Sequence, residues 1–210
     1  MKNLHLSEEE LKLLSEPQTG DNWHFFPSSL TSEDYKQIGP IWDKILATSE
    51  VDGGVIERIK RLLPKGPISM EEEPMLAGYN CFIALAYVMG YEVRLLEKSV
   101  GEAGTMVIPQ GMSTISRPGF ERSGFEEVEA FTEKGCKGAI FLESTKRPVY
   151  DHTGVYVGSH EGTDLFFHKN WRSLPTISTL DALLTASSHI VHRGDQMVAK
   201  SVPAYFQKHE

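Results

Sequence analysis

Two adjoining runs decide the fold: Val149-Tyr-Asp-His-Thr-Gly-Val-Tyr-Val157 and Thr163-Asp-Leu-Phe-Phe-His-Lys169, joined by Gly158-Ser-His-Glu-Gly162. Both are rich in β-branched and aromatic residues and fit the period of two, which reads as strand. The five-residue connection with glycine at each end reads as a hairpin loop. That loop sets an expected register in which Val157 faces Thr163, and counting back sets His152 opposite His168. Directly opposed residues have Cβ atoms ~4.5–5.5 Å apart, so two imidazoles would touch on one face. A two-residue change of register sets His152 against Asn170 and keeps the face; a one-residue slip sends the partners to opposite faces.

Outward from the hairpin, residues 138–143, 189–193 and 196–201 also read as strands. Residues 178–186 read as a helix capped by Ser178. Upstream, residues 80–89 (NCFIALAYVM) are apolar on every side and are followed by Gly90, the pattern of a buried central helix with Asn80 as its N-cap. Residues 7–15 read as a short helix with Ser7 as cap and Glu10 at its third position. Residues 31–48 read as a helix from Thr31 or Ser32, interrupted near Gly39-Pro40. In 54–63, Val55, Ile56, Ile59, Leu62 and Leu63 form one helical stripe. Stretch 98–136 is glycine-rich, with a short helix expected at 125–133; it reads as a lid over a site or as a surface excursion. Helices first and an antiparallel sheet afterwards make an α+β pattern rather than alternating βαβ units. Residues 1–66 form an N-terminal helical segment, and 67–210 the domain that holds the chemistry.

Composition narrows the function classes. The 210 residues are 40% hydrophobic and 24% charged, an ordinary globular balance. The longest apolar run, Cys81 to Met89, is far short of the ~18 residues of a membrane span. Met1 to Glu10 contains no apolar core of a secretory signal, so the chain is expected to be cytoplasmic at synthesis. The net charge of −8 lies wholly before Arg147, and no basic stripe is present, which argues against nucleic-acid binding. Six of the eight histidines follow Tyr150. Two cysteines, without a signal, read as free thiols rather than a disulfide framework. The P-loop, HExxH, EF-hand, CxxC and GxSxG patterns are absent.

Cys81 is the candidate nucleophile. At the start of a helix a thiolate faces unpaired N–H groups and the positive end of the dipole, both of which lower a thiol pKa. His152 on the neighbouring sheet is a candidate base, with His168 or Asn170 to hold its tautomer: the nucleophile–base–orienter arrangement of a triad. Cys136, just before a strand, reads as structural. A zinc site from His152, His160 and His168 is disfavoured because His160 sits in the loop, and no metal or other cofactor is expected.

Four pieces stand in chain order: Tyr79-Asn-Cys81, Gly138-Ala-Ile-Phe-Leu142, His152-Thr-Gly-Val-Tyr-Val-Gly158 and Leu165-Phe-Phe-His168. Together they resemble the NlpC/P60 class of papain-like cysteine peptidases, over about residues 76–170. The resemblance implies a papain-like α+β fold, with Cys81 as nucleophile, His152 as base and His168 as orienting residue. It also implies Tyr79 as a residue near the nucleophile; Asn80 joins it as a substrate-binding or oxyanion candidate. It implies a cysteine hydrolase that cleaves a peptide or isopeptide bond. Bacterial cell-wall stem peptides are the first expected substrate, and an immunity-type inhibitor the expected partner if the chain is a delivered amidase toxin. Reaching the wall would then take a specialised secretion route. The family's usual Asp-Cys-Ser-Gly reads Asn80-Cys81-Phe82-Ile83 here, which replaces residues that help hold a stem-peptide end in wall-cleaving members. A glutamine deamidase or other acyl-transfer effector uses the same triad and is the alternative; a non-catalytic binding module of the same fold is the other.

Overall fold

The computed structural model describes residues 4–15, 29–69, 81–90, 94–95, 106–107, 121, 124–131, 135–144, 150–169, 174–188 and 201–209. The mixed helix and antiparallel sheet expected from the pattern is present. The helices are α1 (Glu8–Ser15), α2 (Ser32–Thr48), α3 (Gly53–Leu62), α4 (Cys81–Val88) and α5 (Leu180–Ser188). Two-residue strands β1 (Ser29–Leu30) and β2 (Ile68–Ser69) pair with each other, as do β3 (Arg94–Leu95) and β4 (Met106–Val107). The main sheet holds β5 (Glu126–Val128), β6 (Cys136–Ser144), β7 (Tyr150–His160), β8 (Thr163–His168), β9 (Thr176–Thr179) and β10 (Ser201–His209). Its order is β5-β10-β6-β7-β8-β9, antiparallel throughout.

The helix starts follow local chemistry. Ser7 Oγ accepts from the Glu10 N–H at 3.1 Å while the Ser7 N–H donates to Glu10 Oε2 at 2.7 Å. Thr31 and Asp34 make the same reciprocal box at α2, and Asp52 Oδ1 accepts from the Val55 N–H at 2.8 Å to cap α3. α2 is not interrupted: Pro40 lies inside it. Ile38, Ile41, Trp42, Ile45 and Leu46 are buried on either side of that proline, and burial worth ~1.5–3 kcal/mol per large side chain outweighs one lost backbone bond. Residues 126–128 form a strand where a helix over 125–133 was expected, because β10 offers them a ladder from Tyr205 to Gln207. Ser201–His209 is a strand that the sequence pattern does not indicate beyond residue 201. Residues 189–193 and most of 196–201 lie outside the described residues, as does most of 98–136.

The N-terminal helices and the sheet share one hydrophobic cluster, from Leu6 and Ile45 through Leu85 to Phe141 and Phe167. Polar ties reinforce it: the Ser49 hydroxyl donates to the Val157 carbonyl at 2.6 Å, and the Asp52 N–H to the Cys136 carbonyl at 2.9 Å. α4 is apolar all round because it packs between α3 on one side and β7 and β8 on the other. At its far end Arg58 Nε donates to the Val88 carbonyl at 2.7 Å.

The hairpin departs from expectation in an instructive way. β7 runs on to His160, which pairs with Thr163, so the turn is Glu161-Gly162 alone. Both turn residues have positive φ, 50° and 82°, as a two-residue type I′ turn requires. Next to that turn the ladder pairs Ser159 with Asp164 and Gly158 with Leu165; beyond Val157 it pairs Tyr156 with Phe166 and Gly154 with His168. Val157 is therefore an extra residue, a β-bulge. Continued without it, the turn-side register would place His152 and His168 on opposite faces. The bulge returns them to one face, two residues out of direct opposition. The inner register is thus the two-residue alternative; the pairing with Asn170 that it suggests lies outside the described residues. A second bulge, at Asp151, interrupts the β6–β7 ladder beside His152.

Candidate active site

β7 carries His152 and β8 ends in His168, each 3% exposed. Their rings stand edge to face with centroids 5.4 Å apart. His152 Nε2 lies 3.4 Å from His168 Nδ1, and His168 Nε2 lies 2.6 Å from Ser178 Oγ, also buried. The diagonal placement across two strands is within reach of rings this long. The three groups form one line in which protons can be donated in either direction. In one, the His152 Nε2–H donates to His168, whose Nε2–H donates to Ser178. In the other, the serine hydroxyl donates to His168, whose Nδ1–H donates to His152.

The close approach of strands beneath this line depends on glycine. A Cβ at Gly154 would sit 3.3 Å from Ile140 Cγ2, Phe166 Cβ and the Phe167 carbonyl oxygen. Tyr156, one step on, stacks on Phe131 at 4.3 Å between centroids.

Cys81 is the first residue of α4 and is buried. The backbone N–H of Thr153, the residue after His152, is directed at its sulfur, as are the N–H groups of Phe82 and of Cys81 itself. The helix start therefore supplies the donors expected of it. Their effect is not the one expected. Burial dominates and pushes the thiol up to about 12, against the N–H groups and the charge of Lys169. The lowered thiol pKa read from the helix position is corrected accordingly: the positive environment is present, but desolvation of the thiolate outweighs it. Burial also pushes His152 down to about 4, and burial together with His152 pushes His168 well below the usual imidazole range. The resting site is a neutral thiol and two neutral imidazoles.

His152 and His168 are thus brought together, and Cys81 opens the helix that lies on β7 and β8. Tyr79 and Asn80 lie outside the described residues. Cys136 is wholly buried at the start of β6, and neither cysteine is in a disulfide. His160 is elsewhere, at the tip of the hairpin, with Nδ1 3.0 Å from the Leu4 carbonyl oxygen. Among the described residues no group of three His, Cys, Asp or Glu side chains is arranged to hold a metal ion, and no helix is long and apolar enough to cross a membrane.

Two residues escaped the sequence reading. Ser178 was read as a helix cap; the cap is Thr179, whose Oγ1 accepts from the Ala182 N–H at 3.3 Å, while Ser178 turns to His168. Lys169 has no exposed surface, and burial pushes it down to about 8 against the opposing influence of Cys81. A lysine directly after the apolar run Leu165-Phe-Phe-His168 was the available signal.

Compared with protein-family models, curated proteins and solved structures, the chain matches none. The likeness to NlpC/P60 peptidases rests on the quoted residues alone.

Proposed function

We propose that the protein is a papain-like cysteine hydrolase acting on an amide bond, with Cys81 as nucleophile, His152 as general base and acid, and His168 as orienting residue. The observation that carries this reading is the buried line His152–His168–Ser178, which begins one residue from the N–H that meets the Cys81 sulfur. In the productive tautomer His152 Nε2–H donates to His168, and His168 Nε2–H to Ser178. In that tautomer His152 Nδ1 carries no proton and can accept one. Starting from neutral partners, the thiol gives its proton to His152 as sulfur attacks the carbonyl carbon. The carbonyl oxygen becomes an oxyanion at the N–H groups of the helix start. Collapse breaks the C–N bond, and His152 returns the proton to the leaving nitrogen. Water, deprotonated by His152, then releases the acid and the thiol.

Peptide or isopeptide bonds of cell-wall stem peptides are the first substrate class, by resemblance, reached by a delivered toxin for which an immunity protein would be the partner. Residues 67–210 would hold this chemistry, with 1–66 packed against them. Incubation with purified peptidoglycan, followed by mass spectrometry, should release new amine-ended fragments that the Cys81→Ala variant does not release. A glutamine deamidase would instead release ammonia from a protein substrate. Neither product above the Cys81→Ala level would refute the hydrolase. A second reading, a non-catalytic module of the same architecture, draws on the burial of Cys81 and its thiol pKa of about 12.

A further inference from the structure

Val157, the extra residue of the β7–β8 bulge, is buried, and it lies beyond the last β6–β7 pair, Ala139 with Val155. A backbone carbonyl buried outside a ladder costs free energy unless another donor meets it. Ser49 supplies that donor: its hydroxyl gives its proton to the Val157 carbonyl at 2.6 Å. Its own stretch of chain places it for this. As the C-cap of α2 its N–H donates to the Ile45 carbonyl at 2.9 Å, and the Val51 N–H donates to its Oγ at 3.4 Å. With Oγ accepting from Val51, the hydroxyl proton is left for β7. The residues that follow tie the same connection to β6. The Gly135 N–H donates to the Glu50 carbonyl at 2.8 Å, and the Asp52 N–H to the Cys136 carbonyl at 2.9 Å. The link between α2 and α3 thus grips β6 where it begins and β7 at its bulge.

We infer that Ser49 is a positioning residue for the His152–His168 pair: its hydroxyl holds the bulge whose extra residue keeps both imidazoles on one face. The inference rests on the hydrolase reading and deepens it, because it names what fixes the base against its orienting residue. Two ladders compete for β7. Without the bulge, Gly158 opposite Leu165 continues to Val157 opposite Phe166 and Val155 opposite His168, and the imidazoles part. With it, Gly154 stands opposite His168, and His152 Nε2 lies 3.4 Å from His168 Nδ1. Only the bulged ladder leaves the Val157 carbonyl out, so a donor reserved for that carbonyl favours the bulged ladder over the other. Ser49 belongs to the helical segment 1–66, which thereby acts on the site through β7.

The test is the set of histidine ring-nitrogen NMR signals of the full-length protein at pH ~7.5, above the ordinary imidazole range. His152→Gln and His168→Gln assign them. In the wild type each of the two rings should show one protonated and one bare nitrogen, well separated in frequency, as a held tautomer does. Ser49→Ala should draw the two frequencies of each ring together, the mark of tautomers that interconvert. Ser49→Thr keeps the hydroxyl and should keep the wild-type pattern. Thr31→Ala weakens the same helix at its other end and should leave the pattern unmoved. Folding of each variant is checked by circular dichroism. A folded Ser49→Ala with the wild-type pattern overturns the inference, and so does an equal shift in Thr31→Ala. If the alanine variant does not fold, Ser49→Cys, close in size and a weak donor, replaces it: a partial shift of the same sense supports the inference and unmoved signals overturn it. No substrate is needed. A protein that yields no hydrolytic product, or whose Cys81 resists labelling by iodoacetamide, would count against the hydrolase, and the ring signals still decide how the pair is held.

Discussion

Acidification from pH 7 to 5 should destabilise the folded protein by about 2 kcal/mol through His152 alone. The wholly buried imidazole is pushed from 6.5 down to about 4, by desolvation. A free imidazole in the unfolded chain keeps the ordinary value of ~6.5. The unfolded state therefore takes up a proton first as pH falls, and stability drops with it. The contribution is intact above pH ~6.5, shrinks between about 6.5 and 4, and is fully lost below. At pH 5 the gap is ~1.5 units, at ~1.36 kcal/mol each. His168, lowered for the same reason and by its neighbour, adds in the same direction. Glu10, held down by Lys44, loses its stabilising effect only below the ordinary carboxylate value of 4.5, so measurements kept above pH 5 isolate the histidines. The assay is urea unfolding at half-unit steps from pH 7.5 to 5, with the m-value checked at each. His152→Gln, an amide that does not titrate, should flatten the wild-type slope by about those 2 kcal/mol. Equal slopes in the two proteins would refute the buried neutral pair.

Ser178→Ala removes the partner of His168 Nε2; the folded state should lose ~1–3 kcal/mol, and hydrolysis should slow further than stability explains, read as a fall in kcat. Gly138→Ala sets a Cβ 2.8 Å from the Phe131 ring and 2.9 Å from Tyr156 Cβ, tighter than the 3.3 Å contacts at Gly154. It should cost ~1–3 kcal/mol and exceed Gly154→Ala in loss of Tm; the reverse order would show that Phe131 yields. Thr31→Ala breaks the reciprocal box with Asp34 and should cost ~1 kcal/mol in urea unfolding, with no effect on Cys81 labelling.

Features decided by neighbours in sequence were legible there. The Ser7–Glu10 box needs only a three-residue spacing, Thr31 is one of the two caps expected for α2, and the α3 stripe needs only a period of 3.6. Features decided across the fold were not. The break expected at Pro40 follows a local rule, and burial on both sides of the proline overrules it. The run Val202-Pro-Ala-Tyr-Phe-Gln-Lys-His209 alternates poorly and holds a proline, yet becomes a strand because β6 offers it a full-length partner. Pro203 is tolerated because β5 pairs only with Tyr205 to Gln207, leaving that edge open. Ser178 acquires meaning only once β9 brings it to His168.

The two histidines show why a site can be found through a wrong register. Strand alternation encodes which face a side chain takes, and only parity matters to that. The turn at Glu161-Gly162 shifts the ladder by an odd number of residues from the expected one, which would have separated the imidazoles. The single extra residue at Val157 makes the total shift even. Alternation of His152, Gly154 and Tyr156 against Asp164, Phe166 and His168 could be satisfied on a shared face only by an even shift. The chain meets that demand with a bulge that the pattern does not display. The same bulge leaves the rings diagonal, 3.4 Å apart, and their diagonal offset lets His168 reach Ser178 on β9 while it still touches His152.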